Sequence, residues 1–89
     1  NYFEQYVYEK PTVFVVQGKE VVVTSRRLAD ALANLSEQRR TVLLMNFFLG
    51  YSERKIGNEY GRSRSTVNYW KLAALKQLRK ELEETEHEE

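Results

Sequence analysis

Gly61 constrains the possible folds of this chain more than any other residue. It separates two stretches that each open on a serine, Ser52 and Ser63. Before it, Ile56 and Tyr60 stand four apart. After it, Val67, Trp70, Ala74, Leu78 and Leu82 recur at helical spacing. A serine ahead of such a run caps the first turn of a helix. A glycine behind it accepts the left-handed backbone that other residues resist. The spacing therefore predicts a short helix from Ser52 to Gly61, a tight turn, and a longer helix after Ser63. Two helices joined by a short Gly-containing turn form a helix-turn-helix. Gly57, inside the first helix, costs roughly 1 kcal/mol of propensity relative to alanine. Close approach of the crossing helix is the expected reason for it.

Charge is distributed unevenly around this motif. The formal net charge is only +1 over 89 residues. Yet Arg54, Lys55, Arg62, Arg64, Lys71, Lys76, Arg79 and Lys80 face only Glu53 and Glu59 between positions 51 and 80, a local balance of +6. The last nine residues hold six glutamates and no lysine or arginine, a balance of −6. The basic block suits phosphates, although any solvated helix also carries Lys and Arg.

Other function classes find little support. There is no cysteine, and His87 is the one histidine, so no thiolate or histidine metal site is expected. No Gly-rich phosphate loop, nucleophile elbow or other catalytic arrangement is legible, and neither enzymatic activity nor a cofactor is expected. No apolar run approaches the ~20 residues of a membrane span, and no secretory pattern opens the chain. A cytoplasmic protein without membrane partners is the default.

Upstream, Asn1–Tyr8 gathers Tyr2, Phe3, Tyr6 and Tyr8 without a pattern that assigns an element. After Pro11, two β-branched runs flank Gly18-Lys19, and a Gly-led two-residue loop suits a type II′ hairpin. Strands are expected at about Thr12–Gln17 and Glu20–Thr24. Valines fall on both faces, so something is expected to cover both, because an isolated hairpin is marginal in water. Thr24 or Ser25 caps a helix to about Asn34, with Leu28, Ala31, Leu32 and Leu35 on one face. Ser36 caps the next, which runs to Phe48 or Leu49 and stops at Gly50. Its many apolar residues, Val42 to Met45 and Phe47 to Leu49, mark a central helix touched on several sides. Beyond Leu82 the acidic residues are expected to fray and stay mobile.

The fold expected is mostly α. An N-terminal β-hairpin precedes a short helical bundle that ends in the helix-turn-helix, a winged-helix-like outline. Three segments follow: an appendage over 1–24, a helical domain over 25–82 with the motif at 52–82, and an acidic tail over 83–89.

Residues 35–82 resemble region four of bacterial RNA polymerase sigma factors. The resemblance rests on L-S-E-Q-R-R-T-V-L-L-M-N-F-F-L-G-Y-S, on I-G-N-E-Y-G-R-S-R-S-T-V, and on A-A-L-K-Q-L-R-K-E-L, and it covers just over half of the chain. The whole chain is also similar to short sigma-like proteins of mobile elements, in which a strand pair precedes the same domain. The resemblance implies a sequence-specific, double-stranded, promoter-like DNA-binding domain acting in transcription initiation or its regulation, with the second motif helix in the major groove.

Carried onto this sequence, the base-reading positions are Arg64, Ser65, Asn68 and Tyr69. The chemistry agrees: arginine grips guanine O6 and N7, and asparagine grips adenine N6 and N7. Asn68 is also mildly unfavourable inside a helix. Arg54, Lys55 and Arg62 flank the motif and suit phosphates, which position without reading sequence. The first turns after Ser52 and Ser63, with Thr66, offer backbone N–H and hydroxyl donors to phosphate oxygens, and Lys76 lies further along the same helix. The bland readings are first-turn surface residues for Arg64, Ser65 and Thr66, self-packing for Tyr69, and a solvating lysine at 76. Trp70 reads as core.

Two departures from the family pattern stand out. Arg62 replaces the apolar residue that usually follows the turn glycine, and Ser65 stands where many members carry an acid or a larger side chain. The promoter sequence is therefore not transferable. These residues include no segment that melts the −10 element, so the chain as it stands is not expected to act as a complete sigma factor. The alternative to DNA reading is a protein-interaction module, docking on RNA polymerase or forming a homodimer through the Val-rich hairpin.

Overall fold

The computed structural model describes residues 10–87. The aromatic segment expected to be unassigned, Asn1–Tyr8, lies outside them. Two strands come first, β1 (Thr12–Val16) and β2 (Lys19–Val23), paired antiparallel. Helices α1 (Arg26–Ala33) and α2 (Glu37–Leu43) follow. The latter runs directly into a π-helical turn at Leu44–Phe48, and then come α3 (Glu53–Tyr60) and α4 (Arg64–His87). The α1, α2 and α3 helices all pack on α4. A mostly helical domain behind an N-terminal hairpin is the architecture expected from the residue pattern.

The capping serines act as their positions indicate. Ser25 Oγ accepts from Leu28 N at 3.2 Å, Ser36 Oγ from Arg39 N at 3.3 Å, and Ser52 Oγ from Lys55 N at 3.1 Å. Ser63 Oγ accepts from Thr66 N at 3.1 Å. Each satisfies one of the backbone donors that a helix start leaves without an intrahelical partner. Gly61 closes α3 at φ 64°.

The hairpin turn sits one residue earlier than the Gly18-Lys19 pattern predicts. Its two central residues are Gln17 and Gly18, both at positive φ (50° and 75°). That is the type I′ arrangement, whose twist matches the flanking strands. Val16 then pairs with Lys19, Phe14 with Val21, and Thr12 with Val23. Phe14, Val16, Val21 and Val23 turn inward, the last three buried. Val13, Val15 and Val22 face outward and stay exposed at 49–67%, so the expected cover over the second face is not found among the described residues. Lys19 falls on the inward-facing row, next to Val16.

The core is built on the second helix. Val42, Leu43, Leu44 and Met45 are at most 2% exposed, and they meet Leu32, Ile56 and Val67, which are equally buried. Burial on several sides accounts for Val42 to Met45, whereas Phe47 and Phe48, also expected to be covered, are 55% and 44% exposed. The backbone widens at the end of this run: Leu49 N donates to Leu44 O at 3.1 Å, an i→i+5 bond. Asn46 Nδ2 donates to Tyr51 O at 2.8 Å, and Tyr51 N donates to Met45 O at 2.9 Å. The π turn thereby fixes the residue just ahead of Ser52.

Gly57 is required for a different reason from the one expected. A Cβ there would lie 2.5 Å from the carbonyl oxygen of Arg62. The close neighbour is the turn between the motif helices, not the crossing helix itself. Arg62 N also donates to Gly57 O at 2.8 Å, so the turn folds directly back onto this glycine.

The acidic end differs from expectation as well. Helix α4 does not stop at Leu82 but continues to His87. Arg79 and Glu83 form an i,i+4 ion pair at 3.2 Å. Arg27 Nη2 donates to the Leu82 carbonyl at 2.9 Å, which ties α1 to this part of α4.

Candidate nucleic-acid interface

The first two turns of α4 present Arg64, Ser65 and Tyr69 to solvent, while Val67 between them is fully buried. Packing of Val67 and Ala74 against the core therefore orients this helix, with Trp70, Leu75 and Leu78 partly buried beside them. Asn68 is half-buried and aims across the motif at α3. Its Nδ2 donates to Glu53 Oε2 at 2.6 Å.

Glu53 is a hub that the sequence pattern does not reveal. Its side chain is 14% exposed, and its oxygens lie 3.8 Å from Arg64 Nε and 3.9 Å from Lys71 Nζ. One carboxylate thus holds two cations and an amide on α4. The carboxylate has only acceptors to offer, so it fixes which end of the Asn68 amide faces it. Asn68 keeps its Oδ1 and the second Nδ2 hydrogen for another partner. A groove of about 360 Å³ lies in front, lined by Glu53, Arg64, Ser65 and Asn68. In sequence, Glu53 reads as an acid favoured in the first turn of a helix. Its partners lie eleven or more residues away across a turn, where no periodicity connects them.

The cations expected to meet phosphate do not all fall together. Arg54 and Lys55 are exposed on the first turn of α3, beside the Ser52 cap. Lys55 Nζ lies 4.2 Å from the centroid of the Tyr51 ring. A second groove, also about 360 Å³, joins Ser52 and Arg54 to Glu53, Arg64 and Lys71. The Ser63 hydroxyl lies 2.9 Å from Thr66 Oγ1, so one of these two hydroxyls donates to the other at the start of α4. Lys76 is exposed, twelve residues along α4 from Arg64, or about 18 Å at 1.5 Å per residue.

Arg62 stands apart from this group. Its guanidinium carbon lies 5.9 Å from the Trp70 ring centroid. With Trp70, Tyr60 and Thr41 it lines a different cavity of about 310 Å³. The cation over the indole face explains how arginine occupies a position where an apolar residue is usual.

Among the described residues no group of three or more His, Cys, Asp or Glu side chains could hold a metal ion, and no helix is long and apolar enough to cross a membrane.

The family model for sigma-70 region 4 matches residues 25–78. The span runs from the Ser25 cap through most of α4 and leaves the hairpin outside. No curated protein matches the chain.

Proposed function

The chain belongs to the sigma-70 region 4 family, whose domains bind DNA in transcription initiation, and from this premise we propose that it reads duplex DNA sequence-specifically through the first two turns of α4. The observation that carries the reading is the hold of Glu53 on Asn68 and Arg64. It pre-orders Asn68 before DNA arrives, which reduces the ordering entropy of binding, and keeps the exposed Arg64 beside it through a solvent-screened ion pair. Arg64 takes a guanine and Asn68 an adenine. Ser65 and Tyr69 flank them, Tyr69 against a thymine methyl or a base face. Arg54, Lys55, Lys76 and the capped turns at Ser52, Ser63 and Thr66 take phosphates. Arg62, expected to meet phosphate, lies over Trp70 in a different cavity from the other cations and serves the turn. Members of the family bind the −35 promoter element and the RNA polymerase core, and the same partners in the cytoplasm are proposed here.

Selection from a random pool followed by titration of a labelled duplex tests this reading. Affinity should fall steeply with salt. Arg64→Ala and Asn68→Ala should each cost ~1–3 kcal/mol on the selected duplex and relax specificity at one position. Salt-independent affinity, or no loss in the double variant, rejects the proposal.

A second reading, self-association through the hairpin, draws on the exposed Val13, Val15 and Val22. Sedimentation showing only monomer at high micromolar concentration rejects it.

A further inference from the structure

The hairpin lies outside the matched span, yet its tip touches Tyr51, the residue just ahead of the motif. Lys19, the first residue of β2, donates from Nζ to the Tyr51 hydroxyl. Its ammonium also lies 5.1 Å from the Tyr51 ring centroid, and Lys55 Nζ lies 4.2 Å from the same centroid. One tyrosine therefore meets two ammonium groups, the hairpin's at its hydroxyl and that of α3 over its ring. The ring is partly buried against the core, and both backbone polar groups of Tyr51 are bonded to the π turn.

Neither lysine, nor the neighbouring Arg54, meets a carboxylate among the described residues. Glu20, next to Lys19 in sequence, pairs with Val15 on the opposite face of the hairpin. Like charges gathered with no carboxylate beside them among the described residues repel, and the ring face offsets that only for Lys55. An anion would relieve it. The Tyr51 hydroxyl accepts from Lys19 and still has its own proton to donate.

We propose that Lys19, with Tyr51 and Lys55, forms a second phosphate-binding point, so that the hairpin acts as a wing on the DNA backbone beside the helix-turn-helix. The inference rests on the DNA-binding reading above. In that reading the first motif helix crosses the backbone, and Tyr51 immediately precedes the cap of that helix. The shifted turn is what makes the contact: with Gln17-Gly18 as the loop, Lys19 joins the inward-facing row and reaches the helical body.

The test uses the full chain, with Lys19→Gln and Lys19→Arg, against a fluorescein-labelled selected duplex and a scrambled one across a salt series. Loss of one phosphate contact should make the slope of log K against log salt shallower by about 0.9. That corresponds to about eightfold weaker binding at 0.1 M salt, vanishing toward 1 M, and equal on both duplexes. Lys19→Arg should restore both slope and affinity. Circular dichroism melts establish that each variant folds. If the wild type binds duplex but Lys19→Gln keeps its slope, the wing is overturned while the base-reading proposal stands. Weaker binding with an unchanged slope, not restored by arginine, shows a purely structural lysine and also overturns it. If the wild type binds no duplex, both proposals fall.

Discussion

Glu53 accepts a 2.6 Å hydrogen bond from Asn68, across the turn that separates the two motif helices. A carboxylate on the first helix thereby sets the amide orientation of a residue on the second. Since the same carboxylate also neighbours Arg64 and Lys71, its removal should separate affinity from discrimination. Glu53→Ala takes a negative charge from the proposed DNA-binding side, so binding to a scrambled duplex should tighten. Preference for the selected duplex should shrink by about fivefold, the lower end of the ~1–3 kcal/mol that a bidentate base contact supplies. Parallel titrations of both duplexes measure this, and an equal change on the two would leave Glu53 with no part in discrimination.

Gly57→Ala improves helix propensity by roughly 1 kcal/mol but sets a methyl 2.5 Å from the Arg62 carbonyl oxygen. The obstacle is backbone, so relief requires the turn to move. The steric term, about 1–3 kcal/mol, should outweigh the propensity gain and leave a net cost of up to about 2 kcal/mol, which lowers the melting temperature by up to about 8–16 °C in a domain this small. Thermal unfolding followed by circular dichroism decides it. A raised melting temperature would mean that the turn yields freely.

Gln17 holds φ 50° without being glycine. Left-handed backbone costs most side chains roughly 1–2 kcal/mol, and asparagine less. Gln17→Asn creates the Asn-Gly pair preferred in type I′ turns and should stabilise the chain by ~0.5 kcal/mol, raising the melting temperature by about 2–4 °C. DNA affinity should stay the same, because neither turn residue is among the proposed contacts.

Met45 has no exposed surface and lies where the second helix meets the rest of the core. Met45→Ala should cost about 2–5 kcal/mol, a large share of the ~5–15 kcal/mol that holds a typical domain folded. Urea unfolding gives the value directly. A loss under about 1 kcal/mol would show that the site collapses around the smaller residue.

Much of the architecture is legible because its signals are local. Ser25, Ser36, Ser52 and Ser63 each cap a helix within three residues of themselves, and Gly61 makes its turn through its own backbone. The hairpin is legible as a hairpin. Its loop is not, because placing the turn at Gly18-Lys19 or at Gln17-Gly18 sets the same valines inward, and the alternation cannot distinguish them. The π turn at Leu44–Phe48 leaves no sequence pattern, since it depends on Asn46 and Met45 bonding to Tyr51. Helix continues past Leu82 although the composition there is that of a solvated tail, with Arg27 and Arg79 as the partners that support it.

The order of residues alone determined where each helix begins, where α3 ends at Gly61 and which stripe of α4 is apolar, because caps, turns and periodicity act over a few residues. Tertiary structure decided which polar groups meet: Glu53 with Asn68, Lys19 with Tyr51, Arg62 with Trp70. Those pairs lie eight to thirty-two residues apart, and only the packing of the core brings them within the few ångströms at which hydrogen bonds and charges act.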